Sequence, residues 1–530
     1  MAGRRKAFRR CLPGLALCAA LPLSVLVLPA LARAQTQEQP TQPLSVIDWL
    51  GAQPPVQQSP DARPAAPIDE PATAKTATVP DVTVKPLGES GPRMIGLVPA
   101  DVTGLPTDLW AGSDPEKLTA LIQGLPDLRL PAAQALLYTV LLAEAAPPGG
   151  KASDGDALAL ARVARLMAQG ALDPAQSLIE QVGVTTSPAH FDLWMRISLL
   201  TGTEDRACDV LRASPHLTSD YGTRIFCDVR ARRWDDAALT LNTAKALNLL
   251  PADKLLLLEH FLDPETVQDS GPLIPPLPMD PLSFRLFETI GEPLPSSSLP
   301  RAYAVADLRD LAGWKAQIEA AERLTRNGAL PDNRLLGLYT ERQAAASGGV
   351  WDRVVNLQRF DTALASGSAE AVAKTLPAAW QSMVDVELES SFASLFADRL
   401  AAIEVAPPAS EIARKVQLLS PAYEAAAVRA GDSALSTRIA LGEVPPNRPD
   451  DIIAAAIFDA FNDAPPRADL LAMVQQDRLG EAILQTLKLL HDGTRGNAKA
   501  LTGALATLRA LGLEDTARRS ALQILLLDRS

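Results

Sequence analysis

Four histidines, two internal cysteines and a scatter of carboxylates are the side chains here that could carry chemistry. His190, His216, His260 and His491 stand far apart. None forms the H-x-x-H or H-E-x-x-H pair that would set two imidazoles on one helix face for a metal. Cys208 and Cys227 have no histidine at ligand spacing, so zinc is not expected. The acidic residues Asp235, Asp236, Glu319, Glu322, Asp385, Glu387 and Glu389 fall on several separate stretches. A glycan-cleaving site would need two such carboxylates facing each other across a groove. Ser347-Gly348-Gly349 precedes a helical stretch, where free backbone N–H groups can hold an anion. A flexible turn with a cap is the simpler reading. There is no P-loop, no G-x-S-x-G and no strand-flanked G-x-G-x-x-G. The expectation is no catalytic residue, no cofactor and no metal.

The cysteines suit a covalent bond better than a ligand set. They lie on consecutive predicted helices with the turn around Pro215 between them, and in an oxidising compartment they would staple the two. Closing such a loop stabilises a fold by about 3 kcal/mol in the chain-entropy picture. Two buried free thiols are the alternative.

The N-terminus points to that compartment. Arg4, Arg5, Lys6, Arg9 and Arg10 form a basic start, Cys11–Leu31 is apolar, and Ala32-Arg33-Ala34 offers small residues for cleavage before Gln35. Residues 1–34 therefore read as a signal peptide and the compartment as the periplasm, with an uncleaved membrane anchor as the alternative. Without the peptide the chain keeps 44 basic and 62 acidic side chains, a charge near −18. Such a charge opposes binding to a nucleic-acid backbone or an anionic membrane surface.

What would position any site is helical. Aromatic residues are only 4% of the chain, and the apolar residues recur at three and four. The expected fold is all-α, a solenoid-like superhelix of helical hairpins. In Thr223–Pro251, Ile225, Phe226 and Val229 line one helix, and Trp234, Ala237, Ala238, Leu241, Ala244 and Leu247 line the next. A hairpin of this kind needs neighbours stacked on it. Eleven prolines in residues 35–92 mark a disordered tether, extended to 107, that cannot bury enough surface to fold. Two apolar islands in it, Val46-Ile47-Asp48-Trp49-Leu50 and Val82-Thr83-Val84, read as docking motifs. Residues 108–265 then form an N-terminal helical lobe, 266–300 a proline-rich connector and 301–530 a C-terminal helical lobe. Expected helices include 219–231, 234–248, 301–311, 368–375 and 378–404.

Trp234, Trp314 and Trp351 stand at related helix starts and read as packing anchors between hairpins. The second helix of the Trp234 hairpin, with Trp234, Ala237, Leu241 and Ala244, resembles that of tetratricopeptide repeats. Asp228 departs from that pattern, standing where an aromatic belongs. The resemblance implies an α-solenoid, a fold commonly used to bind other proteins. The wider layout, through Val46–Leu50, Val102-Thr103-Gly104-Leu105-Pro106, Leu109-Trp110 and Ala346–Trp351, is similar to a family of secreted alphaproteobacterial helical-repeat proteins. Some of its members carry the label antifreeze glycopeptide polyprotein. Ice binding needs threonines in a regular array, and Pro71–Pro80 has none.

The function expected from all this is a non-catalytic periplasmic interaction or scaffold protein. It would bind an envelope protein or peptide, without nucleic acid and without an integral membrane span after signal cleavage. The alternative is an envelope enzyme acting on peptidoglycan or polysaccharide in a helical groove. Oligomeric state is left open.

Overall fold

The computed structural model describes residues 93–527 apart from 151, 264–271, 310 and 445. The expected signal peptide, residues 1–34, and the expected docking motifs at Val46–Leu50 and Val82–Val84 lie outside the described residues. Within them the chain is helical throughout. Extended backbone pairs only as two isolated bridges, Ile95 with Ala145 and Val98 with Ala143. No described helix is long and apolar enough to cross a membrane.

Several helices open on a capping side chain followed by proline. Asp114, Ser187 and Asp280 each accept a backbone N–H from the first turn and are each followed by proline at the helix start. The joints between helices repeat one device. Gly170, Gly202, Arg232, Glu387, Asp477 and Gly512 all have positive φ and sit two residues ahead of the next helix. The residue after each donates its N–H to a carbonyl five positions back, as Arg233 does to Asp228 and Leu513 to Leu508. This left-handed cap satisfies the last carbonyls and turns the chain straight into the next helix.

Two expected boundaries fall elsewhere. The break anticipated at Pro377 does not occur: the helix Ala369–Val384 runs through that proline. It stops instead where Glu387 takes the left-handed cap, and Glu389–Ala401 follows. The stretch 301–311 divides into a 3-10 turn, Arg301–Tyr303, and a single short turn, Ala304–Asp307.

The buried side chains form two large clusters. One joins residues from Ile95 to Ala306 with Ile439 to Ala521; the other gathers Ala304 to Leu419 and Leu527. The first core therefore runs on through the proline-rich passage and takes in the end of the chain, rather than dividing near residue 300. Its closure is local and specific. Leu109 accepts the Gly480 N–H at 2.9 Å, Gly112 donates to the Asp477 carbonyl at 2.9 Å, and Ala132 donates to Gln523 Oε1 at 3.0 Å. Trp110, fully buried, lies so close over Gly480 that a Cβ there would sit 2.3 Å from the ring.

Arg162 fixes the entry to this core. Its buried guanidinium donates to the carbonyls of Leu141, Ile95 and Ala143 at 2.7–2.9 Å. Burial draws its pKa down to about 10. Three carbonyl acceptors replace the water that such a charge would otherwise demand. Cys208 and Cys227 are bonded, joining Glu204–Ala213 to Tyr221–Arg230 with their Cα atoms 5.0 Å apart.

Candidate functional site

The histidines do not meet. His190 is buried beside the Ser187 hydroxyl at 2.8 Å, and burial lowers its pKa. His491 is also lowered, again chiefly by burial. His216 lies in a 3-10 turn, Pro215–Leu217. Among the described residues no group of three His, Cys, Asp or Glu side chains is placed to hold a metal ion.

One expected carboxylate does enter a Tyr–carboxylate–Arg set. Glu322 accepts the Tyr339 hydroxyl, and Arg353 binds both its oxygens at 2.7 Å. Burial, and after it the Glu322 charge, holds the Tyr339 phenol well above the ordinary tyrosine range. The set is sealed. Tyr339 is wholly buried and Glu322 is 4% exposed, so neither reaches a substrate.

Beside it opens a polar cleft of about 350 Å³, lined by Gly349, Asp352, Arg353, Asn356, Gln381 and Asp385. Its polar groups answer one another. Asp352 accepts the Gly348 N–H at 2.9 Å, so the glycine run presents that donor to its own carboxylate rather than to a bound anion. Gln381 donates to Asp385 at 2.8 Å and Asn356 to Ser382 at 3.0 Å. The other carboxylates do not converge on it: Glu319 pairs with Lys315, and Asp235 and Asp236 lie in the exposed first turn of another helix.

A second opening, of about 510 Å³, has the opposite character. Its apolar wall is Val229, Trp234, Phe261 and Ile290, with Arg230, Arg232, His260 and Thr289 around it. Four elements supply these residues: Tyr221–Arg230 and the turn after it, Trp234–Ala246, Ala252–Leu262 and Pro281–Thr289. Phe261 is held by stacking on buried Phe226, with centroids 5.9 Å apart. Trp234 remains 51% exposed.

That exposure corrects the reading of Trp234 as a packing anchor. Trp314 is buried, donates to the Leu338 carbonyl at 2.9 Å and meets the half-buried Trp351 at 5.2 Å between centroids. Trp234 opens a helix that buries Ala237, Leu241 and Ala244 against its sequence neighbours, and after Leu262 the chain leaves the hairpin series for a proline-rich stretch. Among the described residues no aromatic ring meets the Trp234 indole as Trp351 meets Trp314. The surroundings share this character. Trp234, Leu239, Leu247, Leu249, Ile274 and Leu277 are six of the ten large apolar side chains left exposed among the described residues. Six of ten within one stretch of sequence, from Trp234 to Leu277, is more than ordinary scatter.

Arg232 is the groove residue that sequence reasoning missed. It holds the left-handed cap position, φ 59°, the seat taken by Gly170, Gly202 and Gly512 at three other joints. Its neighbours are paired, Arg230 with Asp205 at 2.6 Å and Arg233 with Asp228. The Arg232 side chain has no partner among the described residues. The cue available in the sequence was the arginine of Ala231-Arg232-Arg233-Trp234 at the seat held by glycine in Thr201-Gly202-Thr203-Glu204 and Leu511-Gly512-Leu513-Glu514.

Comparison of the chain with family models, with curated proteins and with solved structures finds no match.

Proposed function

We propose that this chain is a non-catalytic interaction protein of the cell envelope, a solenoid-like array of helical hairpins that holds a peptide segment of a protein partner in the Trp234 groove. The observation that carries this reading is the half-exposed indole over an apolar wall, in the stretch of chain that holds most of the exposed large apolar side chains among the described residues. Aromatic anchors at partly dry pockets supply most of the energy in peptide contacts. The polar cleft argues for the same conclusion from the other side, because its titratable groups are matched internally or sealed. The Cys208–Cys227 bond supports an oxidising compartment such as the periplasm.

The test is crosslinking in cells followed by affinity capture, comparing the parent chain with Trp234→Ala and Gln381→Ala. A stoichiometric protein partner is expected with the parent and with Gln381→Ala, and its loss with Trp234→Ala. A partner recovered equally from all three chains contradicts the groove as the binding surface.

A further inference from the structure

Building on the groove as the binding surface, we infer that its partner segment carries an aspartate or glutamate side chain next to a large apolar one. The acidic residue would pair with Arg232, and its apolar neighbour would lie on Trp234, Phe261 and Ile290.

The argument is one of complementarity. Among the arginines of the turn, Arg230 and Arg233 already have carboxylates, whereas Arg232 lines the groove with none among the described residues. A guanidinium presents a planar fork of donors that matches a carboxylate. It is held there by the backbone, since the left-handed cap fixes the residue between two helices. The Cys208–Cys227 bond ties the helix beneath that turn to its neighbour, and the buried Glu204 takes Arg285 at 2.8 Å on the same side. The wall that carries Arg232 is thus built before any partner arrives.

Of the remaining polar groups of the groove, Arg230 is already paired with Asp205, and His260 and Thr289 bond to carbonyls of their own helices. His260 Nδ1 lies 3.0 Å from the Leu256 carbonyl. A carbonyl only accepts, so Nδ1 donates to it. The Thr289 hydroxyl donates to the Arg285 carbonyl at 2.7 Å and remains an acceptor. An acceptor of this kind suits an N–H group of an extended peptide backbone. The site therefore offers one cation for a side-chain carboxylate, an acceptor for the backbone and an apolar wall for the adjacent side chain.

The test selects phage-displayed random heptapeptides on the full chain, on Arg232→Gly and on Trp234→Ala. Glycine at 232 suits the left-handed backbone, so this variant is expected to melt no lower than the parent, and a lost preference is then not a lost fold. The parent should enrich Asp or Glu next to Leu, Ile, Phe or Trp by at least about tenfold, the effect of one charge-assisted hydrogen bond. Arg232→Gly should keep the apolar enrichment and lose the acidic one; Trp234→Ala should lose both. Acidic enrichment that is absent on the parent, or unchanged in Arg232→Gly, overturns this inference. If apolar enrichment still depends on Trp234 in that case, the groove reading stands. Apolar enrichment indifferent to Trp234→Ala overturns the groove reading itself.

Discussion

The cleft on Gly349–Asp385 and the groove on Val229–Ile290 are both open to solvent, and they differ in where their polar groups find partners. In the cleft, Asp352, Gln381 and Arg353 are answered from within, and behind them Glu322 and Tyr339 are buried together. In the groove, Arg232 is unanswered among the described residues and an indole is half bare. Matched polar groups rigidify a fold and leave little to offer a ligand. Unmatched ones next to apolar surface are what binding satisfies. Substitutions in the cleft should therefore cost stability, and substitutions in the groove should cost binding.

The largest effect is expected behind the cleft. Glu322→Ala would strand Arg353 and the Tyr339 hydroxyl, and removing one member of such a set costs about 3 kcal/mol or more. Urea denaturation should show that loss, and a midpoint unchanged from the parent would remove the cleft's structural role. Next comes the bond beside the groove. Cys208→Ser opens a loop of 19 residues in sequence separation and should cost about 3 kcal/mol. The same loss should follow from reducing the parent.

Closure of the first core makes a third test. Gly480→Ala forces a methyl onto the Trp110 ring, and overpacking of this kind costs about 1–3 kcal/mol. The variant should also expose the segment around Leu109 to limited proteolysis, while Gly503→Ala, with side-chain neighbours no nearer than 3.4 Å, should not.

How much of this could be read from the chain itself depends on the range of the interaction. The all-helical class, the caps at Asp114 and Ser187 and the buried positions Ala237, Leu241 and Ala244 follow from patterns a few residues long, whereas Ala238 and Leu247, expected on the same face, are exposed. The seat of Trp110 on Gly480 joins residues far apart in sequence, and no local period encodes it. Pro377 misled because proline usually ends a helix, yet burial of Val372, Leu376 and Trp380 on one face carries the helix across it. Trp234 misled for the converse reason. Its spacing matches Trp314, but burial depends on what stacks above, and only Trp314 has a tryptophan there. The groove was half legible: its apolar residues stand in the hairpin pattern, while Arg232 becomes informative only once its neighbours are seen to be paired.

A pH titration sharpens the contrast more gently. The Tyr339 phenol is held protonated above the ordinary range by burial and by Glu322. The unfolded phenol ionises near pH 10, so the unfolded state binds fewer protons above that point. Stability should be flat below about pH 10 and fall above it, by at most about 1.4 kcal/mol per pH unit for this group. Tyr339→Phe should reduce the slope in denaturation curves taken across that range, and Trp234→Ala should leave it alone. The smallest effect is in the groove. Arg232→Gly relieves a left-handed side-chain residue and should raise stability by about 0.5–1 kcal/mol, read from the urea midpoint.

The most direct measurement places a benzophenone-bearing phenylalanine, which keeps an aromatic ring at the anchor seat, at position 234, or the same residue at position 381, of the full chain in living cells. A discrete protein adduct from 234 and none from 381 is the predicted result. Adducts from 381 alone, or equally from both, would contradict the assignment of binding to the groove.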